Sequence, residues 1–200
     1  MAVRLIRLCL VTAAAMAAGT ALAGAEQVKV KTRTYAVSGA NGADLYQSMV
    51  RRGPRHGFVS RAIAQTSYTV EWQAEVVSSA NACRVVRAQP VLSITYTYPQ
   101  PSRSMSAEMR GRWQRFMTGV KKHEEKHGAI ASEMVRAAEA SVKGLRVKND
   151  PSCRKTRVEV KKRADKIYAA YEARQIAFDA REHRDGGNID RLILGLVKGR

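Results

Sequence analysis

His123-Glu124-Glu125-Lys126-His127 is the stretch on which the reading of this chain turns. It has the form HExxH. On an α-helix, residues four apart lie one above the other on a single face, so two imidazoles at this spacing can grip one metal ion. Glu124, beside the first of them, is then positioned to take a proton from a water at that ion. The competing description is a solvated, charged helix turn, and Lys121, Lys122, Glu125 and Lys126 supply charges for it. The flanks decide between the two. Met109, Trp113, Phe116, Val120, His123, His127, Ile130 and Met134 recur at alternating intervals of four and three residues. That is the buried stripe of an amphipathic helix, and both histidines fall on it. Buried polar groups cost free energy unless satisfied, and one shared metal satisfies both rings. The neighbouring lysines disfavour imidazolium and leave the neutral rings that a metal requires.

Working outward, Ser104 or Ser106 can cap this helix, which is predicted to run from about residue 106 to 145 and to end at Gly144, Asn149 and Pro151. A second helix is predicted from near Cys153 to about Arg181, with Val160, Ala164, Ile167, Tyr171 and Phe178 on its apolar side. The short connection between two long helices implies an antiparallel hairpin. A turn centred near residue 150 brings residues 173 to 177 level with the histidine pair. A catalytic zinc takes three protein ligands and keeps one position open. The HxxGxxH continuation of metzincins is absent, because Gly128 follows His127 directly and no histidine lies near. The third ligand is therefore sought on the second helix, where the candidates are His183, then Asp179 and Glu172. On a straight helix Glu172 lies closest to level with the pair, whereas Gly186-Gly187 ends the helix and allows a turning chain to bring His183 over the metal. Residues 188 to 200 read as a short packing helix.

The first half of the chain reads as β structure. Gln27–Val37 (QVKVKTRTYAV) alternates and is β-branched. Two further strand runs follow, at about Ile63–Val77 and Arg84–Tyr98, with Pro99 and Pro101 closing the second. Between the first and second runs, Asn41 or Asp44 caps a short helix carrying Leu45, Met49 and Val50 and ended by Gly53-Pro54. The fold class expected is α+β: a small, mostly antiparallel sheet packed on a long antiparallel helix hairpin that carries HExxH, a zincin-like arrangement. Residues 1–25 read as a secretory signal, with Arg4 and Arg7 ahead of an alanine-rich uncharged run and small residues at Ala21-Leu22-Ala23 and Ala23-Gly24-Ala25. The remainder, 26–200, is a single domain. Export implies a secreted or periplasmic location and no membrane-spanning helix after signal removal. Loss of Cys9 with the signal leaves Cys83 and Cys153, an even pair suited to one structural disulfide in an oxidising compartment. The formal charge of +18 falls to +16 without Arg4 and Arg7. Such a balance favours anionic partners, including envelope polymers, but no nucleic-acid-binding motif or array of stacking aromatics accompanies it.

The chain resembles a bacterial domain family of unknown function described as secreted zinc-dependent proteases. The marks are Thr34-Tyr35-Ala36-Val37-Ser38-Gly39, the run Ala64-Gln65-Thr66-Ser67-Tyr68 leading to Trp72, then Cys83, Trp113, Phe116, the HExxH residues and Cys153. The last family segment is similar to Tyr-Asp-x-x-Thr-x-His-Gly. Phe178-Asp179 fits its start, while Glu182 stands at the threonine position, Arg184 at the histidine position, and His183 one residue early. The resemblance implies Zn2+ as cofactor, Glu124 as the catalytic base and a peptide or protein substrate, cell-wall peptides among the options. The alternative from another class is a non-catalytic basic envelope protein whose metal site is structural or degenerate and which binds anionic polymers.

Overall fold

The structure, a computed structural model, describes residues 27–56 and 60–199. The signal segment and Cys9 lie outside the described residues. In chain order the elements are β1 (Gln27–Val37), α1 (Gly42–Arg52), β2 (Arg55–His56), β3 (Ser60–Arg61), β4 (Gln65–Ser79), β5 (Ala82–Pro101), α2 (Ala107–Val142), β6 (Arg146–Lys148), α3 (Arg154–His183) and α4 (Asn188–Lys198). The main sheet has the order β1-β5-β4, with β6 pairing the start of β5. β4 and β6 run antiparallel to β5, but β1 runs parallel to it, so the sheet is mixed rather than mostly antiparallel. Alternation of residue types assigns faces and carries no information about strand direction. Direction follows from topology: β4 and β5 form a long hairpin, and its second strand inserts between β4 and β1.

Pro101 is the last residue of β5, as expected, whereas Pro99 lies inside it. Pairing with β4 ends at Thr97 and pairing with β1 begins at Val91, so Pro90, Pro99 and Pro101 all sit where β5 has one neighbour. There the missing N–H breaks no ladder bond. Partners across the sheet share a face, so Val30, Ile94 and Tyr68 face the helices, while Lys31, Thr95 and Ser67 face the other way.

α2 is 36 residues long, about 54 Å, and is capped by the Ser106 side chain, which accepts from the Met109 N–H at 3.2 Å. Its stripe from Met109 to Met134 is buried in full. Phe116 and Trp113 pack with Val37, Leu45, Met49 and Leu196 near one end. Ala131, Met134 and Val135 meet Leu92 and Ile94 in the middle, and Ala138 and Val142 meet Trp72 and Ala164 at the other end. Burying a side chain such as Phe116 contributes about 2–3 kcal/mol. α3 lies antiparallel to α2: Arg163 bonds the Ser141 carbonyl, Arg174 pairs with Glu133, and Gln175 bonds His127. α4 crosses against α1 so closely that a Cβ on Gly42 would lie 2.0 Å from the Leu196 carbonyl oxygen. Cys83 and Cys153 form a disulfide that ties the start of β5 to the start of α3. No helix among the described residues is long and apolar enough to cross a membrane.

Candidate metal centre

Three elements build the centre. α2 presents His123, Glu124 and His127 on its buried side, β4 presents Thr66 from its helix-facing side, and α3 presents Gln175, Asp179 and His183. Five of the nine buried polar side chains found among the described residues stand here, namely Thr66, His123, Glu124, His127 and Gln175. That concentration marks the level at which α2 and α3 meet for something other than packing.

Each histidine has a defined environment. Gln175, 1% exposed, donates through Nε2 to the His127 backbone carbonyl at 3.1 Å. Its amide is thereby oriented, and its Oε1 faces His127 Nδ1 at 2.5 Å. The carbonyl oxygen can only accept, so in neutral His127 the proton sits on Nδ1 and Nε2 is the atom that can ligate a metal, whereas in the protonated ring Nε2–H donates to Asp179. That Nε2 lies 3.2 Å from His123 Nε2 and 2.8 Å from Asp179 Oδ1, and Asp179 Oδ1 lies 3.2 Å from His123 Nε2. Two imidazole nitrogens and one carboxylate oxygen therefore close a small triangle. Ligands about 2.0–2.2 Å from a tetrahedral zinc are roughly 3.3–3.6 Å apart; the two 3.2 Å edges come within a few tenths of an ångström of that, and the 2.8 Å edge is shorter by about half an ångström or more. The donor set, two imidazole nitrogens and a carboxylate oxygen, is one that a divalent metal ion takes, and its triangle has to widen slightly to hold one. The His123 ring stacks on Phe178 with centroids 4.8 Å apart, and its Nδ1 is buried without a hydrogen-bond partner among the described residues. The nearest acidic oxygen to it, Glu182 Oε2, is 3.9 Å away.

The electrostatics follow from burial against these contacts. Burial pushes the His127 imidazole down, but its bonds to Asp179 and Gln175 outweigh that and raise it above the ordinary value. Burial opposes the Asp179 charge, yet the two imidazoles hold its carboxyl well below the usual carboxylate range. Burial raises the Glu124 carboxyl above its ordinary value, opposed by the Thr66 hydroxyl 2.6 Å from Oε2 and by the two histidines. Burial lowers His183, with the neighbouring His123 acting in the same direction.

The structure brings both Asp179 and His183 to His123. The ligating atoms of His123, Asp179 and His183 lie within 4.8 Å of one another, and the His123 and His183 rings meet edge-on at 5.3 Å. Asp179 has the shorter distances and closes on both α2 histidines. His183, the last residue of α3, is exposed at the rim. Glu172 stands apart, beside Tyr68, with Oε2 buried and without a hydrogen-bond partner among the described residues. The register differs from the expectation by about two residues, since His127 is level with Gln175 and His123 with Asp179. α3 begins beyond the end of α2, alongside β6, and this overhang moves its whole face along the pair.

Thr66 and Gln175 were not found from sequence, although both carried a signal. Gln175 interrupts the stripe Ala164, Tyr168, Tyr171, Phe178 at its four-and-three spacing, and Thr66 precedes Tyr68, Val70 and Trp72 in the inward alternation of β4. A polar residue at an inward position asks for a buried partner.

Residues 32–187 match the family described as bacterial protein of unknown function (DUF922). The chain belongs to this family. The DUF922 match takes in every residue of the centre and both cysteines, so the site is part of the family's shared region rather than an appendage. Comparison with curated proteins and with solved structures finds no match to the chain.

Proposed function

We propose that this DUF922 protein is a zinc-dependent peptidase acting outside the cytoplasm, with His123, His127 and Asp179 as the zinc ligands and His183 at the rim of the site. The observation that carries the reading is the closed triangle of His123 Nε2, His127 Nε2 and Asp179 Oδ1, beside a buried carboxylate that is not part of it. A bound zinc supplies Lewis acidity toward a substrate carbonyl and toward the attacking water. Gln175 holds His127 in the tautomer that leaves Nε2 unprotonated. Glu124 takes the proton from the attacking water and returns it to the leaving amine, and burial makes it a stronger base than an exposed glutamate. Thr66 fixes the carboxylate through its hydroxyl. The cleft in front of the centre holds roughly 650 Å³, enough for part of an extended peptide. The resemblance to secreted zinc-dependent proteases and the Cys83–Cys153 disulfide support export. The test is hydrolysis of unfolded casein by zinc-loaded protein, abolished by a chelator and restored by zinc. Zinc-loaded protein that cleaves no protein or peptide substrate would remove the reading.

A second reading, a basic protein that binds anionic envelope polymers, is favoured by one feature. Lys29, Lys31 and Arg33 stand on the sheet face turned away from the helices, beside Ser93, Thr95 and Thr97, and none makes an ion pair among the described residues. Retention on anionic polymer that is lost on reversing these three charges, with no chelator-sensitive hydrolysis, would favour it.

A further inference from the structure

The walls of the cleft, away from the metal centre, are almost wholly apolar. Tyr46 and Val50 come from α1, Ile63 from the segment before β4, Ile176 from α3, and Ile189 and Ile193 from α4. The acidic side chains that line it, Glu124 and Asp179, are both held by the centre itself. Arg61 is the lysine or arginine of the lining, and its guanidinium donates to the Gly53 carbonyl at 2.7 Å. Two of the apolar residues are unusually bare for their size, Val50 at 46% and Ile176 at 61% exposure. Each leaves apolar surface facing water at the edge of a concave site, where an incoming apolar group gains most from burial. No carboxylate is left to receive a lysine or arginine side chain, and both Arg61 and the net charge of +18 repel one.

Resting on the peptidase reading, we infer that the cleft selects substrates by a bulky apolar side chain, such as leucine, isoleucine or phenylalanine, next to the scissile bond, with Val50 and Ile176 forming the walls that recognise it. An apolar pocket of this kind discriminates modestly, by about 10- to 200-fold per group filled or missing. It also rejects basic residues at the same position.

The experiment uses zinc-loaded full-length protein and a mixed peptide library, with cleaved bonds identified by mass spectrometry. Cleavage is expected beside leucine, isoleucine, phenylalanine or methionine and not beside lysine or arginine. Ile176→Glu and Val50→Glu should each lower kcat/KM at apolar sites by about tenfold or more, with zinc content and melting temperature unchanged because both side chains already face solvent. Cleavage indifferent to the neighbouring side chain, or a preference that survives both substitutions, overturns the inference while leaving the peptidase reading intact. If no bond is cleaved the peptidase reading fails, and the cleft is then tested by itself. Fluorescence anisotropy of zinc-loaded Glu124→Gln protein with labelled leucine-rich and lysine-rich peptides should show at least tenfold tighter binding of the former. Equal binding, or none, overturns the inference.

Discussion

The two ends of the α2–α3 pair serve opposite purposes. At the far end Trp72, Ala138, Val142 and Ala164 pack together, and the buried polar groups beside them are partnered: Trp72 Nε1 donates to the Tyr168 hydroxyl at 2.6 Å, and Asp150 accepts from the Lys155 and Thr156 N–H groups and the Thr156 hydroxyl. The Cys83–Cys153 disulfide closes that end. At the near end, the polar atoms of His123, His127 and Asp179 point at one another, and His123 Nδ1 has no hydrogen-bond partner among the described residues. Partnered polar groups hold a fold together, whereas converging acceptors store a demand that a cation meets. One helix pair thus separates the work of stability from the work of chemistry along its length.

The comparison is broken most severely at Glu124. Glu124→Gln should retain zinc and fold and lose hydrolysis by about a thousandfold, because the amide cannot accept the proton. Matched kcat/KM and metal analyses check it, and full activity would take Glu124 out of the mechanism. At the opposite end, Cys83→Ser should cost on the order of 4 kcal/mol of stability by freeing a loop that spans 70 residues, with zinc affinity at 25 °C little changed. Denaturant unfolding with and without zinc reads both quantities. Loss of zinc binding in that variant would mean that the two ends are not independent.

A finer test lies at Gln175. Gln175→Leu removes both bonds to His127, so zinc affinity should fall by about 10- to 100-fold. The pH dependence should sharpen the same point. His127 is raised above its ordinary value of 6.5, so a proton competes with zinc there. Affinity is therefore full above that raised pKa and weakens as pH falls through it, and an affinity that is flat from pH 8 to pH 5 would contradict the assignment. The smallest effect is expected at Asp150. Burial works against its charge, but its three hydrogen bonds hold the carboxyl below the ordinary 3.8. Its contribution to stability is present above that value and is lost as pH falls through the lower folded pKa. The stability gap between the wild type and Asp150→Asn should therefore close below about pH 4.

Much of this architecture was legible in residue spacing. The four-and-three stripe from Met109 to Met134 located both α2 and the buried side of the HExxH pair, and all of those residues are buried. The caps of α1 (Asn41 or Asp44) and α2 (Ser104 or Ser106), of which Asn41 and Ser106 serve, and the single cysteine pair were legible from local chemistry, which acts over a few residues. Long-range relations were not legible. Nothing in QVKVKTRTYAV says that β1 runs parallel to β5, because that depends on where the β4–β5 hairpin inserts. The level of Asp179 with His123 depends on how far α3 overhangs α2, which the turn sequence does not state. Gln175 and Thr66 needed the opposite inference, from a polar residue at an inward position to a partner on another element.

The central claim is that the near end of the α2–α3 pair holds zinc through His123, His127 and Asp179. Zinc titration of the purified protein against a chromophoric chelator, with Asp179→Ala and His183→Ala in parallel, tests it most directly. One tightly bound zinc per chain is expected, with an affinity reduced by several orders of magnitude in Asp179→Ala and a smaller loss in His183→Ala. No stoichiometric zinc in the wild type, or unchanged binding in Asp179→Ala, would contradict it.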